Sequence, residues 1–349
     1  MTVISLGGTI AATRARGDAA SVGVTPQLGA QELVEAVPEL RGVVELETVA
    51  FRQVPSGDIT LTDLVELAGE ISRRLDDGAS GVVVTQGTDT IEETSFALDL
   101  LVRGDRPVVV TGAMRNPTLA GADGPANLLA AVQVASSDEA CGLGTLVVFH
   151  DEIHAARFVR KMHSSSTGAL RSPSAGPVGW VSEGRCRIVL RLPRLERPSV
   201  VPGGDIPPVA LFTASVGDDL RMLTHVEASG YAGLVVEALG AGHVPARCAP
   251  LLGDLAQRMP VILATRTGAG EVLADTYGFP GSERDLIARG LIPAGFLDGP
   301  KARVLLSYAL ATTPDLGGVR RAFALFHASV GLPIGDGRRL GLSTREVPF

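Results

Sequence analysis

Lysine is nearly missing from this 349-residue chain: Lys161 is the only one before Lys301, and the chain otherwise relies on arginine. A lone lysine in an arginine-rich sequence marks a group whose proton has to move, because a desolvated ammonium titrates and a guanidinium does not. A surface lysine or a simple ion-pair partner is the plainer reading of the same spacing. Cysteine is almost as scarce. Cys141, Cys186 and Cys248 are an odd set without close pairing, which excludes a disulfide framework and a cysteine metal site and leaves buried, inert thiols as the expectation. Aromatic residues are only 4%, too few for a base-stacking platform, and a net charge of −7 argues against nucleic acid or an anionic membrane as partner. Hydrophobic residues reach 45%, yet no unbroken apolar run approaches the roughly 20 residues that span a bilayer. The chain enters an apolar run directly, with no basic region or signal core, so a cytoplasmic location is expected. Internal repeats and low-complexity tracts are absent.

What is present is a pair of threonines, each just past a short apolar run. Thr9 follows Val3-Ile4-Ser5-Leu6 in Gly7-Gly8-Thr9-Ile10-Ala11, and Thr88 follows Gly81-Val82-Val83-Val84-Thr85 in Gln86-Gly87-Thr88-Asp89-Thr90. Short β-branched runs bounded by glycine read as buried parallel strands, which puts both threonines at strand carboxyl ends. In open α/β sheets that edge forms the ligand crevice. Taken alone, each motif also fits a tight turn with an N-cap.

Runs near residues 2–6, 45–50, 81–85, 107–111 and 144–149 predict strands. The helical pattern Leu61, Leu64, Leu67, Ile71, Leu75 and the acid-rich start Thr90-Ile91-Glu92-Glu93 lie between them, and Gly124-Pro125 opens a further helix. Alternation of this kind predicts a mostly parallel sheet. Gly179–Val181 and Arg185–Leu190 read as a closing hairpin. The fold class is therefore α/β: a larger N-terminal parallel-sheet domain, residues 1–192, joined by a Pro/Gly-rich linker at 193–208 to a smaller C-terminal α/β domain, 209–349. Strands are expected there at 209–212, 233–237 and 261–264.

The segments Gly7–Ala11, Gly87–Thr94, Asp151–Arg157 with Lys161, Ser172-Pro173 and Lys301–Leu306 together resemble the bacterial-type L-asparaginase/glutaminase family, in the family's order and over most of the chain. The resemblance implies an amidohydrolase converting L-asparagine to L-aspartate and ammonia through a threonine acyl-enzyme, with no cofactor and no metal. Thr9 matches the primary nucleophile. Thr88, Asp89 and Lys161 match a second triad. Ser56 matches the serine that holds the substrate α-carboxylate, Asp89 the acid that pairs with the α-ammonium, and the Ala113 carbonyl a group contacting the amide nitrogen. The family also implies self-association as a homotetramer or homodimer, with a glutamate crossing the subunit interface. Glu271 and Glu283 both qualify for that glutamate, and Glu283 is preferred. His243 falls near a position where some members have asparagine.

Departures from the family pattern are equally specific. No tyrosine lies in the loop Thr13 to Thr25, where many members carry one to assist the nucleophile, so Thr25, a water or a residue of another subunit is left to assist Thr9. Gln86 stands where the common spelling has His, and Gly57 where it has Gln beside the serine. Alternatives are a catalytically impaired amino-acid-binding or sensor protein on the same fold, a glutaminase-leaning amidohydrolase, and an ammonia-supplying amidotransferase subunit. Gly240-Ala241-Gly242 resembles a dinucleotide fingerprint but has Pro245 in place of its third glycine. A Thr2 nucleophile lacks a propeptide, and His150 and His154 give only a weak zinc spacing.

Overall fold

The computed structural model describes residues 1–13, 25–192 and 204–327. The loop between Thr13 and Thr25, most of the 193–208 linker and the tail after His327 lie outside the described residues. In chain order the strands are β1 (Thr2–Gly7), β2 (Ala12–Thr13), β3 (Thr25–Pro26), β4 (Glu47–Val54), β5 (Val82–Thr85), β6 (Val108–Thr111), β7 (Thr145–Phe149), β8 (Glu152–Ala155), β9 (Arg160–Lys161), β10 (Leu170–Arg171), β11 (Gly179–Ser182) and β12 (Arg185–Ile188). The second unit adds β13 (Val209–Thr213), β14 (Gly233–Ala238), β15 (Val261–Thr265) and β16 (Ile292–Pro293). The helices are α1 (Ala30–Glu35), α2 (Leu61–Asp76), α3 (Ile91–Leu101), α4 (Gly124–Ala135), α5 (Ala249–Ala256), α6 (Glu283–Ala288), α7 (Gly299–Thr312) and α8 (Leu316–His327).

Eight strands form the large sheet in the order β12-β11-β8-β7-β6-β5-β1-β4, with β4, β1, β5, β6 and β7 parallel and β8, β11 and β12 antiparallel. The chain runs from β1 outward to β4 and then returns to the other side of β1 at β5. Between β1 and β5 the sheet therefore has its topological switch point, where open α/β folds bind ligands. Register keeps the strand ends level: Ser5 pairs with Thr85, and Thr85 with Thr111. The parallel strands β5 and β6 are buried along their whole length, as their unbroken Val runs require.

Strand β8 is absent from the sequence reading. It follows β7 through a two-residue turn at His150 and Asp151, both with positive φ (54° and 62°). Such turns are normally announced by Asn-Gly or Asp-Gly, and His-Asp gives no such signal. The predicted hairpin forms as β11 and β12, but it docks on β8 and ends at Ile188 rather than Leu190.

Helix α2 starts at a capping box: Thr60 Oγ1 accepts Asp63 N–H at 3.1 Å, and Asp63 Oδ2 accepts Thr60 N–H at 2.9 Å. Its Leu64, Leu67 and Ile71 face the core, following the predicted stripe. Helix α3 is buried on nearly every side, from Ile91 and Glu92 to Leu100. The small unit is a parallel sheet in the order β13-β14-β15-β16. One apolar cluster runs from Ile4, Val84 and Phe96 of the large sheet side into Val235, Val304, Leu305 and Tyr308 of the small unit. Burial of this shared core is what joins the two units, and the Tyr308 hydroxyl adds a bond to Leu61 O at 3.1 Å. Of the three thiols only Cys248 is buried. Cys141 and Cys186 are half-buried, and all three are free.

Candidate active site

Glycine geometry builds the site. Gly7 (φ 99°) bulges β1 against Val54, and Gly8 (φ 81°) turns the chain into the short helical segment that starts at Thr9. A Cβ on Gly8 would fall 2.0 Å from Gly87 N and 2.3 Å from Gly87 Cα, while one on Gly87 would fall 2.8 Å from Ser56 Oγ. The loops after β1 and β5 are thus packed backbone to backbone, with the Ser56 side chain from the loop after β4 against Gly87, so the segments that carry Thr9, Ser56 and Thr88 adjoin at the sheet's switch point. Thr90 Oγ1 donates to Ser56 O at 3.0 Å, fixing the serine loop to the second threonine loop.

Lys161 completes the constellation. It lies in β9, which pairs antiparallel with β10, and it is 73 residues from Thr88 in sequence. Its Nζ donates to Thr88 Oγ1 at 2.9 Å and to Asp89 Oδ1 at 2.5 Å. Thr88 is buried at 4% exposure, Lys161 is mostly covered and Asp89 faces solvent, so the triad runs from the interior to the open side of the crevice. Thr88 Oγ1 in turn donates to Met114 Sδ at 3.3 Å. This thioether contact was not legible from sequence, since methionine is more often core filler.

Behind the threonines, Asp123 and Asn127 at the start of α4 lock the loop that carries Ala113. Asp123 accepts Met114 N–H at 3.1 Å and Arg115 N–H at 2.8 Å, and Asn127 Nδ2 donates to Gly112 O at 3.0 Å. Ala113 is fully buried. Thr25 sits in β3 opposite Thr13 and takes the Gln27 side-chain amide at 3.2 Å.

Glu283, expected to reach across a subunit interface, is engaged within its own chain in this structure. The residue is completely buried, and its carboxylate is held inside its own chain by Thr276 N–H (3.0 Å), Tyr277 N–H (2.6 Å) and His243 Nε2 (3.1 Å). Burial opposes ionisation, but the Tyr277 and Thr276 amides and His243 hold the carboxyl below its usual range. A carboxylate held in this way anchors its own loop. Tyr277 and Phe279, which pack edge-on against His243 with ring centroids at 4.8 and 5.1 Å, are the exposed members of the cluster. Glu271 lies in the exposed loop after Gly268.

The histidine spacing does not produce a metal site. His154 is fully buried with Nδ1 3.0 Å from Ser172 Oγ, while His150 is at the exposed β7–β8 turn, and among the described residues no cluster of three or more His, Cys, Asp or Glu could hold a metal ion. A cavity between the units, lined by Arg157, Arg160, Ser174, Thr265, Phe296 and Asp298, contains neither threonine. The candidate site at the switch point is defined by its Thr88, Asp89 and Lys161 contacts rather than by a cavity.

Comparison with known proteins places the chain in a family. Residues 1–194 match the model of the asparaginase N-terminal domain, and residues 208–323 that of the glutaminase/asparaginase C-terminal domain. The chain belongs to the asparaginase family. Among curated relatives of this asparaginase-family protein, the probable L-asparaginase of Deinococcus radiodurans is 38% identical over 93% of the chain and 96% of its own length. The L-asparaginase of Bacillus licheniformis is 34% identical over 89% of the chain and 95% of its length. The crystal structure of the probable cytoplasmic L-asparaginase from Campylobacter jejuni superposes with a TM-score of 0.83 at 30% identity, covering 93% of this chain and 98% of that one.

Proposed function

We propose that this asparaginase-family chain hydrolyses L-asparagine to L-aspartate and ammonia, with Thr9 as nucleophile. The observation that carries the reading is the Lys161 ammonium on Thr88 Oγ1 and Asp89 Oδ1, in a crevice where the close approach of Gly8 and Gly87 brings the Thr9 and Thr88 loops together. A threonine hydroxyl is a weak nucleophile and needs a partner for its proton. Thr9 Oγ attacks the side-chain amide carbon, the C–N bond breaks as the nitrogen gains a proton and leaves as ammonia, and water then cleaves the Thr9 ester to release aspartate. Thr88, Lys161 and Asp89 pass protons between these steps. Backbone N–H groups around Thr9 and Thr88 stabilise the oxyanion. Ser56 takes the α-carboxylate, Asp89 the α-ammonium and the Ala113 carbonyl the amide nitrogen. Glu283 acts indirectly, by shaping the His243–Tyr277 loop.

The matched domain description covers both amides, and one methylene of substrate length is worth about 1–3 kcal/mol in a pocket, so the relative rates on asparagine and glutamine are a matter for assay. The two sheets and the two matched models support a division at 193–208 into domains 1–192 and 209–349. Self-association into a homodimer or homotetramer that completes each site is part of the proposal, and a fully active monodisperse monomer in light scattering overturns it. The Campylobacter relative's description supports a cytoplasmic location, and among the described residues no helix is long and apolar enough to cross a membrane. The deciding assay is ammonia release from L-asparagine and L-glutamine by wild type, Thr9→Ala, Thr88→Ala and Lys161→Ala. Turnover by wild type and loss in each folded variant supports the two-threonine reading. A folded wild type that releases ammonia from neither amide overturns it in favour of a binding protein.

A further inference from the structure

Both lysines of the chain meet at one short segment, Val159–Lys161. Lys301, in the first turn of α7, is 1% exposed, and its ammonium donates to Val159 O at 2.7 Å and to Asp298 Oδ2 at 2.8 Å. Asp298, the N-cap of α7, also lies 3.5 Å from Arg160 Nε. From the opposite side Glu92 Oε2, in the first turn of α3, accepts the Lys161 backbone N–H at 2.6 Å. Three consecutive residues are thus each held by a buried charged group, two from the C-terminal unit and one from the N-terminal unit.

Stability alone does not account for this cluster. Desolvating an ammonium and a carboxylate costs as much as their attraction returns, and apolar residues of equal volume are often at least as stable. What such a cluster supplies is geometry. Lysine suits the place where arginine does not: the ammonium has three donors and two are used, whereas a guanidinium would bring five in a rigid fork. The groups also feel one another. Burial raises the Glu92 carboxyl while Lys301 and Arg160 draw it back and Asp298 opposes them, and the Asp298 carboxyl, despite burial, is held low by Lys301 and Arg160.

We infer that Lys301 is a positioning residue for Lys161: by gripping the Val159 carbonyl and the Asp298 carboxylate, it fixes the segment that carries the Lys161 ammonium onto Thr88 and Asp89. The C-terminal unit thereby takes part in a reaction whose reacting groups all belong to the N-terminal unit. The inference rests on the amidohydrolase reading.

With only two lysines, one of them buried, an amine-selective acylating reagent reports on Lys161 directly when labelled peptides are resolved by mass spectrometry. The experiment compares wild type, Lys301→Met and the charge-balanced Lys301→Met/Asp298→Asn for ammonia release from L-asparagine, thermal midpoint and Lys161 labelling rate. The double variant carries the decision if Lys301→Met alone, which strands Asp298, fails to fold. The expected result is a folded variant with kcat lower by about 100-fold, KM within about threefold, and Lys161 labelled several-fold faster because its ammonium has left Thr88 and Asp89. A folded variant with wild-type kcat and labelling overturns the inference and leaves the amidohydrolase reading standing. A wild type without amidase activity, in which Lys161 labelling still responds to the Lys301 change, overturns that reading instead and supports the positioning contact.

Discussion

Gly8 and Gly87 stand backbone against backbone, so close that a side chain on Gly8 would overlap the Gly87 nitrogen at 2.0 Å. Replacing Gly8 by Ala separates the two threonine loops and also strains a φ of 81°. The expected cost is at least about 2 kcal/mol of stability and at least about 100-fold in kcat. Gly69→Ala, mid-helix in α2 with open space at its Cβ, is the control and should gain about 0.5–1 kcal/mol. Urea titration and ammonia release on both variants check the pair.

Lys161→Arg keeps the positive charge but replaces a compact ammonium with a rigid, five-donor guanidinium that holds its protons. If Lys161 moves a proton for Thr88, kcat should fall by about 10²- to 10⁴-fold while KM changes far less. A variant retaining more than a tenth of wild-type kcat would mean that charge alone suffices.

Glu93, next to Glu92 on α3, is pushed up to about 7 by burial first and by the neighbouring Glu92 second, and its Oε2 has no hydrogen-bond partner. Its folded form keeps the proton longer than the unfolded chain does. The stability it contributes is therefore complete below about pH 4.5 and is lost as pH rises to about 7. Glu93→Gln should abolish that slope and be the more stable protein at pH 8, by at most about 3 kcal/mol. Urea midpoints at pH 4.5, 6 and 8 test this.

His154 shows the opposite sign. Burial lowers it to about 4, so the folded state stays neutral where the unfolded chain takes up a proton. Its contribution is present above about pH 6.5 and is lost as pH falls to about 4, at most about 3 kcal/mol. His154→Asn should start less stable at pH 7, through the lost fit to Ser172, but decline less on acidification. Equal slopes in the two proteins would exclude His154 as the acid-sensitive group.

Parts of the architecture were readable because they depend on local pattern. The Val runs of β5 and β6 are fully buried parallel strands, and their composition says so. The stripe through Leu64, Leu67 and Ile71 needed nothing beyond helical period. Strand β8 was missed because its pairing depends on two non-glycine residues held at positive φ by the sheet around them. Met114 and the Asp123–Asn127 lock were equally invisible, since neither residue type announces the contact it makes.

The amino-acid sequence by itself determined the α/β class, the two threonine loops at strand ends and the singular status of Lys161, because these follow from residue type and from periods of two and 3.6. Tertiary structure alone decided that Lys161 reaches Thr88 across 73 residues, that Lys301 grips the Val159 carbonyl from the other unit, and that Glu283 turns inward to bind its own loop. Those outcomes rest on burial of charge and on close backbone approach, which arise only when segments remote in sequence are packed against one another.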